Sequence, residues 1–478
     1  MGKDWHVVWR PLTQVLEEHA DSLASAVRVV LNPPLIRIGY AESLTKLRGV
    51  GLPPQPERTL VRKQDLVKRL GFEGAVELFL AVDQVVSLLP LSVLESLKRM
   101  EGDEVVETLF EWSEKMDRVR SEVGRLRVED LRSEDDAKRR VLLVAPGRRQ
   151  LEVVKGEWRR WVWSPRTLRG DPAPDHEAWM EELIGIGNAL LEEGVRVVFA
   201  VDEDDEERFL EISGRRFETV TVRMPPGKAK IGYARDQSVV WFRLPIICNM
   251  ALEIRVGEEP LYNELYWRLG LPPALRPRWV NRGEHLERCV LEGGNFILVR
   301  GDDGYALFTG MGVRGTNAAA LKTLSETLPP ELPIYAVPLS GYIKDWRATG
   351  TVHLDVAVLY GGRVGGQNVM LVDPGRIGFY SVLRYLPEQD AFVPEELGQV
   401  ARSLGITLDE PPRKGASRIT MVNALNLGGG KLVVDPYNEA VNRYLEREWG
   451  FELVEVPVPQ LDAGGGGVRC ATREIEYA

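Results

Sequence analysis

The amino-acid sequence predicts an α/β fold in which units of strands and helices repeat around a common axis, preceded by a mostly α-helical N-terminal domain. A length of 478 residues exceeds what one ordinary hydrophobic core holds, so two or more domains are expected. Near Arg140 the pattern changes from helical apolar spacing to short apolar strands that alternate with glycine-rich turns and helices. These observations predict a helical domain over residues 1–137 and an α/β domain over residues 138–478.

In the N-terminal part, apolar residues recur at helical spacing in two segments, "LTQVLEEHADSLASAVRVVL" and "VVETLFEWSEKMDRVRSEVGRL". The charged stretch that follows, "RVEDLRSEDDAKRR", is predicted to be a linker or an exposed helix end. Helical stripes of this kind usually form a core of their own. The sequence leaves the role of this domain open.

After Arg140, similar units recur along the chain. The first holds the strand "RVLLVAP", the helix "HEAWMEELIGIGNALLEEG" and the strand "VRVVFAV". Later units begin at "IGYARDQSVVWF", "CVLEGGNFILV", "GTVHLDVAVLY" and "SRITMVNALNLGGGK", at intervals of roughly fifty to seventy residues. Repeats around an axis bring equivalent strand ends together at the centre, which is where a shared site is expected.

Composition and charge exclude several classes of partner. A net charge of −10 gives no basic face for nucleic acid. The N-terminal residues have no signal-peptide pattern, and charged residues and a proline interrupt the most apolar stretch, so no membrane partner is expected. The three cysteines, Cys248, Cys289 and Cys470, are widely spaced, which indicates a reducing, cytoplasmic location without disulfides. A homo-oligomer remains open.

Each later unit carries a polar residue in its predicted first strand, where an apolar residue is expected. The residues are Asp236, Glu292, His353 with Asp355, and Asn423. Because side chains alternate along a strand, residues 353 and 355 are predicted to point to the same side. Singly, each has an ordinary interpretation as a core histidine, a surface ion pair or a turn. Their joint occurrence at matched positions favours one shared site.

The chemistry of this set points to a planar cation. Cys470 follows a run of four glycines, and the thiolate form of cysteine is a nucleophile. A histidine can donate a proton to a leaving group and then activate water. Carboxylates accept paired hydrogen bonds from a guanidinium but would repel the oxyanion of peptide hydrolysis. Metal-ligand spacing is absent around His353, so neither a metal nor another cofactor is expected.

Together, the motifs "YARD", "EGGN", "GMGVR", "VHLD" and "GGGGVRC" resemble the guanidine-modifying, or pentein, superfamily, and most closely arginine deiminase. The resemblance covers the chain from about Arg140 onward. It implies a five-sector β/α propeller with the active site on its axis. It also implies a guanidine hydrolase that converts L-arginine and water to L-citrulline and ammonia through a covalent thiouronium intermediate.

The resemblance implies a role for each motif residue. Cys470 matches the nucleophile, His353 the general acid and base, and Glu292 the residue that orients and charges the imidazole. Asp236 and Asp355 match the carboxylates that hold the guanidinium. The full set with implied substrate-binding roles is Asp236, Asp355, Arg255, Arg314, Gly464, Gly465, Asn295 and Lys230. In this set, the two arginines match those that hold the substrate's carboxylate, and the glycines let the main chain pass close to a ligand.

Three departures from the arginine deiminase pattern concern the end of the substrate away from the guanidinium. Gly465 stands where a gating arginine is common, and Lys230 stands where an asparagine is usual. The helical insertion between the first and second sectors is missing. These departures leave the chemistry in place and put the identity of the substrate in question.

Several alternatives stay open. An agmatine or methylarginine hydrolase and an amidinotransferase share the superfamily, although the "GGGVRC" ending and the "EGG" turn favour hydrolysis of arginine. Arg255 and Arg314 could be ordinary surface arginines. A non-catalytic arginine sensor is a candidate of another class, but the retained Cys470 argues against it.

Overall fold

The structure is a computed structural model. It describes residues 10–31, 35–40, 56–60, 64–123, 127–152, 174–241, 244–251, 255–273, 275–281, 286–312, 315–339, 343–344, 347–348, 353–377, 381–412 and 422–478. Within these ranges the chain is a mixed α/β protein, as the sequence predicts.

The α-helices, in chain order, are α1 Leu12–Glu18, α2 Leu23–Leu31, α3 Gln64–Leu88, α4 Leu91–Leu97, α5 Asp103–Val123, α6 Arg148–Glu152, α7 His176–Glu192, α8 Glu206–Ser213, α9 Glu259–Arg268, α10 Ala318–Thr327, α11 Leu397–Ser403, α12 Glu439–Tyr444, α13 Pro459–Ala463 and α14 Val468–Ala471. The strands, in chain order, are β1 Leu35–Tyr40, β2 Pro56–Leu60, β3 Lys138–Ala145, β4 Arg196–Asp202, β5 Glu218–Val222, β6 Ser238–Trp241, β7 Leu244–Ile247, β8 Trp279–Asn281, β9 Leu286–Arg288, β10 Phe296–Gly301, β11 Gly304–Met311, β12 Ile334–Pro338, β13 Ile343–Lys344, β14 Arg347–Ala348, β15 Val358–Val364, β16 Gln367–Val372, β17 Ser381–Leu386, β18 Ala391–Glu396, β19 Ile406–Asp409, β20 Leu425–Gly428, β21 Lys431–Val434, β22 Glu452–Glu455 and β23 Thr472–Tyr477.

One pairing pattern recurs along the α/β part of the chain. An antiparallel pair of strands is followed by a third strand that pairs in parallel: β10–β11 with β12, β15–β16 with β19, β20–β21 with β22, and β23–β3 with β4. The antiparallel pair β6–β7 is followed by a parallel bridge between Ile246 and Leu275. A helix precedes each third strand, because parallel neighbours need a long crossover connection.

The first of these units takes its strands from distant parts of the sequence. Strand β23 pairs with β3 in antiparallel register, with Thr472 opposite Leu143. Strand β3 is buried over its last five residues, which confirms "RVLLVAP" as a buried strand. The pairing brings the short helix α14, which holds Cys470, next to the strands that begin near residue 138.

The N-terminal helices share their hydrophobic core with the α/β part. Buried side chains of α1, α2, α3 and α5 belong to one apolar cluster that continues into β3, β4 and α9. The side-chain amide of Asn263 in α9 donates to the backbone carbonyls of Ser87 and Leu89. The hairpin β1–β2 extends the β8–β9 sheet. The division of the chain at residue 137 stays a prediction.

Part of the charged stretch over residues 127–140 is packed against the α/β part, while Arg127, Glu129 and Arg139 are exposed. Leu131 and Ser133 are buried, and Ser133 and Glu134 both donate to the carbonyl of Leu298 in β10. The prediction of a linker or exposed helix end is therefore wrong for these residues, because backbone groups of β10 satisfy donors that the charge pattern alone assigned to solvent.

Cys248, Cys289 and Cys470 are buried and form no disulfide. No helix within the described parts of the chain has the length and apolar content to cross a membrane.

Candidate active site

The polar residues that the sequence singled out lie just before the first strand of their units. Asp236, Asn423 and Cys470 each stand two residues before a strand, β6, β20 and β23 respectively. Glu292 and His353 each precede a single 3₁₀ turn that leads into β10 or β15. The prediction that these residues lie within strands is wrong. At a strand's start the side chain projects from the end of the sheet, where units can meet.

The same turn corrects the argument for His353 and Asp355. His353 has an extended backbone, but Asp355 lies inside the 3₁₀ turn Leu354–Val356, so strand alternation does not set their relative direction. Both nevertheless contribute to one charged cluster, since the Asp355 carboxylate acts on the pKa of His353.

His353 lies between two carboxylates. Its Nε2 contacts Oε2 of Glu292 in a short hydrogen bond, and its Nδ1 lies 3.3 Å from Oδ1 of Asp236. Burial alone would lower the pKa of this imidazole. The carboxylates of Asp236, Glu292 and Asp355 outweigh the burial and raise the pKa to about 9, so the ring is an imidazolium at neutral pH.

Gly294 allows these groups to approach each other. A Cβ at this position would lie 2.8 Å from Oδ1 of Asp236 and 2.9 Å from Nδ1 of His353. At the neighbouring Gly293, a Cβ would meet the carbonyl of Arg235 at 2.0 Å. Gly294 is therefore required by packing against the charged side chains, and Gly293 by packing against backbone carbonyls.

Cys470 is held by backbone and side-chain contacts from other units. Its N–H donates to Oδ1 of Asn423 at 3.1 Å, its carbonyl accepts from the N–H of Arg235 at 3.0 Å, and its Sγ lies 3.6 Å from Oδ2 of Asp355. Burial, followed by the charges of Asp355 and Asp236, raises the pKa of the thiol well above its usual value. The resting state of this cysteine is the neutral thiol.

The two aspartates are each half engaged. Oδ2 of Asp355 accepts from Nη1 of Arg469 at 2.9 Å, and Oδ2 of Asp236 accepts from Nη1 of Arg255. Oδ1 of each aspartate is buried and accepts no well-aligned hydrogen bond from a described residue, although Oδ1 of Asp236 lies 3.3 Å from Nδ1 of His353. Buried acceptors are normally satisfied, so Oδ1 of Asp355 is available to accept a hydrogen bond from a ligand, while Oδ1 of Asp236 already faces the imidazole of His353.

Arg255 binds protein groups at every guanidinium nitrogen. Nε donates to Glu258 at 3.0 Å, Nη1 donates to Asp236, and Nη2 donates to the carbonyl of Lys230 at 3.0 Å. It is not a surface arginine, since only 3% of it is exposed. The structure thus places Arg255 as the partner of Asp236, a substrate-binding candidate. The backbone carbonyl of Lys230, another candidate, accepts a hydrogen bond from Arg255. Arg314 lies outside the described residues.

The glycine run packs against Tyr233. A Cβ on Gly464 would lie 2.0 Å from Oη of Tyr233, and one on Gly466 would lie 2.3 Å from its Cε1. Gly465 has a φ of 88°, in the left-handed region that favours glycine. The contact that requires these glycines in the structure is with the tyrosine ring.

Asn295 joins two of the turns. Its Oδ1 accepts from the N–H of Leu354 at 3.2 Å, which ties the Glu292 turn to the His353 turn. Its Nδ2 is buried and makes no hydrogen bond to a described residue.

Three residues next to the site were missed from the sequence: Arg235, Arg469 and Glu134. Arg235 makes a paired contact with Glu474 at 2.6 and 2.7 Å, and Arg469 binds both Asp355 and Glu134. The available signal was an arginine directly before a buried cysteine in "VRC". Among the described residues, no group of three His, Cys, Asp or Glu side chains is arranged to hold a metal ion.

Comparison with known proteins gives matches only among solved structures. No protein-family model matches the chain, and no curated protein matches it significantly. A mutant of AgrE in complex with L-arginine is 14% identical, with a TM-score of 0.47, over 72% of this chain and 40% of that chain. This chain therefore spans less than half of AgrE.

Two further solved structures cover nearly all of their own chains. The N-terminal domain of ArgZ, a cyanobacterial arginine dihydrolase, is 14% identical, with a TM-score of 0.45, over 71% of this chain and 98% of that chain. Inosamine-phosphate amidinotransferase from Streptomyces griseus is 16% identical, with a TM-score of 0.46, over 72% of this chain and 96% of that chain.

The resemblance of the sequence motifs to the pentein superfamily stays a prediction. Identities and TM-scores of this size carry no argument about the reaction. The case for a function rests on the geometry of the site.

Proposed function

We propose that the chain is a guanidine hydrolase that uses Cys470 as its nucleophile, and that its reaction is that of an arginine deiminase. The observation that carries the proposal is a pair of buried carboxylates, Asp236 and Asp355, that share one cluster with a cysteine and a charged histidine; Oδ1 of Asp355 has no hydrogen-bond donor among the described residues, and Oδ1 of Asp236 has only the imidazole of His353 within 4 Å as an ion-pair partner. A guanidinium has N–H groups in a planar fork that matches two such acceptors.

In the first half of the proposed reaction, the bound guanidinium offsets the negative charges of Asp236 and Asp355, and the thiol of Cys470 loses its proton to solvent. The thiolate attacks the guanidinium carbon and forms a C–S bond. His353, an imidazolium with a pKa of about 9, donates its proton to one nitrogen. The C–N bond then breaks, and ammonia leaves.

In the second half, the neutral imidazole of His353 takes a proton from water, and the hydroxyl adds to the carbon of the thiouronium. The tetrahedral adduct loses a proton and breaks its C–S bond, which releases the ureido product and the thiolate of Cys470. Glu292 keeps the imidazole oriented and favours its charged form in both halves, because it contacts Nε2.

The fold that we propose for this activity is a five-sector β/α propeller with the site on its axis, following a helical domain over residues 1–137. The recurrent unit of an antiparallel pair and a parallel third strand supports it. Five such units and a nucleophile that contacts neighbouring units are what a closed ring requires.

The test is incubation with L-arginine, agmatine, N-methylated arginines and an amine acceptor, with assays for ureido product and ammonia. Equal amounts of citrulline and ammonia from arginine are expected. A new guanidino compound without ammonia would instead identify an amidinotransferase. Cys470→Ala should abolish turnover while arginine still binds, and a non-catalytic sensor would give binding without turnover in the unaltered protein as well.

A second candidate is a hydrolase for guanidines without a carboxylate, such as agmatine. It is favoured by Arg255, whose nitrogens all have partners within the protein, so this arginine is not poised to bind a substrate carboxylate. The ratio of kcat/KM for arginine and agmatine decides between the two candidates.

A further inference from the structure

The side chain of Arg469 forms ion pairs with Asp355 and Glu134. Nη1 donates to Oδ2 of Asp355 at 2.9 Å, while Nη2 and Nε donate to the two oxygens of Glu134 at 2.8 and 3.3 Å. Nη2 also donates to the carbonyl of Phe296 at 3.2 Å. The guanidinium is 3% exposed, so its geometry is fixed by these partners.

The main chain of the same two residues, Arg469 and Cys470, is held as firmly. Arg235 donates from Nε to the carbonyl of Arg469 at 3.1 Å and from its N–H to the carbonyl of Cys470 at 3.0 Å. Asn423 accepts from the N–H of Cys470. With the contacts to Asp355 and Phe296, this dipeptide touches the segments that begin β6, β10, β15 and β20.

We propose that Glu134 and Arg469 form a positioning pair that holds Asp355 with Oδ1 turned to the substrate guanidinium; this inference rests on the proposed function. Arg469 fixes one oxygen of the aspartate and leaves the other open. Glu134 fixes the arginine from the opposite side. Neither residue touches the reacting atoms in this arrangement.

The charges explain why a pair is needed. Asp355 is fully buried beside a second carboxylate, Asp236, and a buried anion without a counter-charge is strongly disfavoured. Arg469 supplies that counter-charge. Without Glu134, the full positive charge of Arg469 would act on Cys470, and ionisation of the thiol would depend less on the charge of the substrate. Glu134 therefore neutralises part of the charge of Arg469.

The pair also acts on the thiol, which gives a measurement that does not depend on turnover. The charged or titratable groups that act on Cys470 are Asp355, Asp236, Arg469 and the neighbouring Tyr233. Removing the charge of Glu134 leaves Arg469 less neutralised, which lowers the pKa of the thiol. Removing the charge of Arg469 raises it.

The experiment compares Glu134→Gln, Arg469→Gln and Arg469→Lys with the unaltered protein. Arg276→Lys is the matched control, since Arg276 is a buried arginine that binds Glu259 at 2.9 Å and has no site residue among its hydrogen-bond partners. For each protein, kcat and KM are measured with the best guanidine substrate. The rate of Cys470 alkylation by iodoacetamide is followed against pH without substrate, with the labelled peptide identified by mass spectrometry.

Three results are expected. Both Gln variants lose up to about 100-fold in kcat/KM, the cost of misplacing a binding group by about an ångström. The alkylation midpoint moves down in Glu134→Gln and up by about one pH unit in Arg469→Gln. Arg469→Lys keeps the midpoint of the unaltered protein but loses kcat/KM, because the ammonium keeps the charge without the fork.

Other results would overturn the proposal. A kcat/KM for Glu134→Gln within twofold of the unaltered protein would show that the pair does not position Asp355. Midpoints that move the same way in both Gln variants, or a loss in Arg276→Lys as large as theirs, would indicate general loosening of the core. Absence of turnover in the unaltered protein on every guanidine would overturn the proposed function itself, which is a different outcome.

Discussion

Sγ of Cys470 lies 3.6 Å from Oδ2 of Asp355, so the candidate nucleophile rests against an anion. Burial and this carboxylate hold the pKa of the thiol far above its usual value. A nucleophile in such surroundings is inert until positive charge arrives. In the proposed reaction that charge is carried by the substrate, which ties reactivity to occupancy of the site.

The first prediction follows from this contact. Alkylation of Cys470 by a neutral reagent at neutral pH is expected to speed up when a small guanidinium salt occupies the site at a concentration that does not denature the protein. The reason is that the cation offsets Asp355 and Asp236 and lowers the pKa of the thiol. An equal concentration of sodium chloride is the control. An unchanged rate, with binding of the salt shown separately, would contradict activation by the substrate.

The second prediction concerns the pH dependence of turnover. The imidazolium of His353, with a pKa raised to about 9, is available as an acid up to that pH, so kcat should fall as pH rises through about 9. Glu292→Gln removes one of the carboxylates that raise this pKa, so the fall should begin closer to neutral pH. A pH–rate profile measures both. An upper limb at the same pH in the two proteins would contradict the role of Glu292.

The third prediction concerns stability and the same histidine. The folded-state pKa of His353, about 9, is above the unfolded value of roughly 6.5. The stabilisation from charging this ring is therefore fully present below pH 6.5 or so, and it is lost as pH rises through about 9. Unfolding by urea across this range should show a smaller pH dependence in His353→Gln than in the unaltered protein. Identical pH dependence would mean that folding does not raise the pKa of His353.

The fourth prediction tests the close approach at Gly294. In Gly294→Ala the new methyl would meet both Asp236 and His353, and kcat/KM should fall by about 100-fold or more because those groups are displaced. Gly185→Ala is the matched control. Gly185 lies in helix α7, and a Cβ there would make only an ordinary 3.6 Å contact with Val456. Activity in Gly294→Ala equal to that of the control would contradict the described packing.

The fifth prediction separates two roles of Arg255. If this arginine positions Asp236, then Arg255→Lys should lower kcat/KM for arginine and agmatine by similar factors, because both have the same guanidinium. If it binds a substrate carboxylate, only the value for arginine should fall. We expect similar factors, with Arg276→Lys again as the control for loss of a buried arginine.

The clustering of the candidate residues could be predicted from sequence because polar residues stand at matched points of successive repeats. Glu292 and His353 form a direct contact, and Cys470 and Asp355 form another, although each pair is far apart in the chain. The local conformation was not predictable in the same way. A single 3₁₀ turn at Leu354–Val356 gives little periodic signal, so the sequence pattern predicts a strand over residues that form a turn.

The residues that support the site were harder to predict, because the sequence does not show which charged residues will pair with each other. Glu134 lies in a run of charged residues that is indistinguishable from a solvated segment, and only the fold brings it to Arg469. Likewise the helical stripes of the segments that form α1, α2 and α5 predict a separate core, because a stripe does not show which elements will pack against it; in the structure these residues share one cluster with α9. Arginine–carboxylate pairing between Arg255 and Asp236 depends on the same three-dimensional information.

Glu134 and Arg469 are 335 positions apart along the chain, and the ladder between β3 and β23 spans a similar separation. Closing so long a loop comes late during folding, since its entropy must be lost before the contact is gained. A refolding molecule can therefore regain most of its secondary structure before it regains activity. The return of enzymatic rate would then report the pairing of β23 with β3, which circular dichroism alone would not resolve.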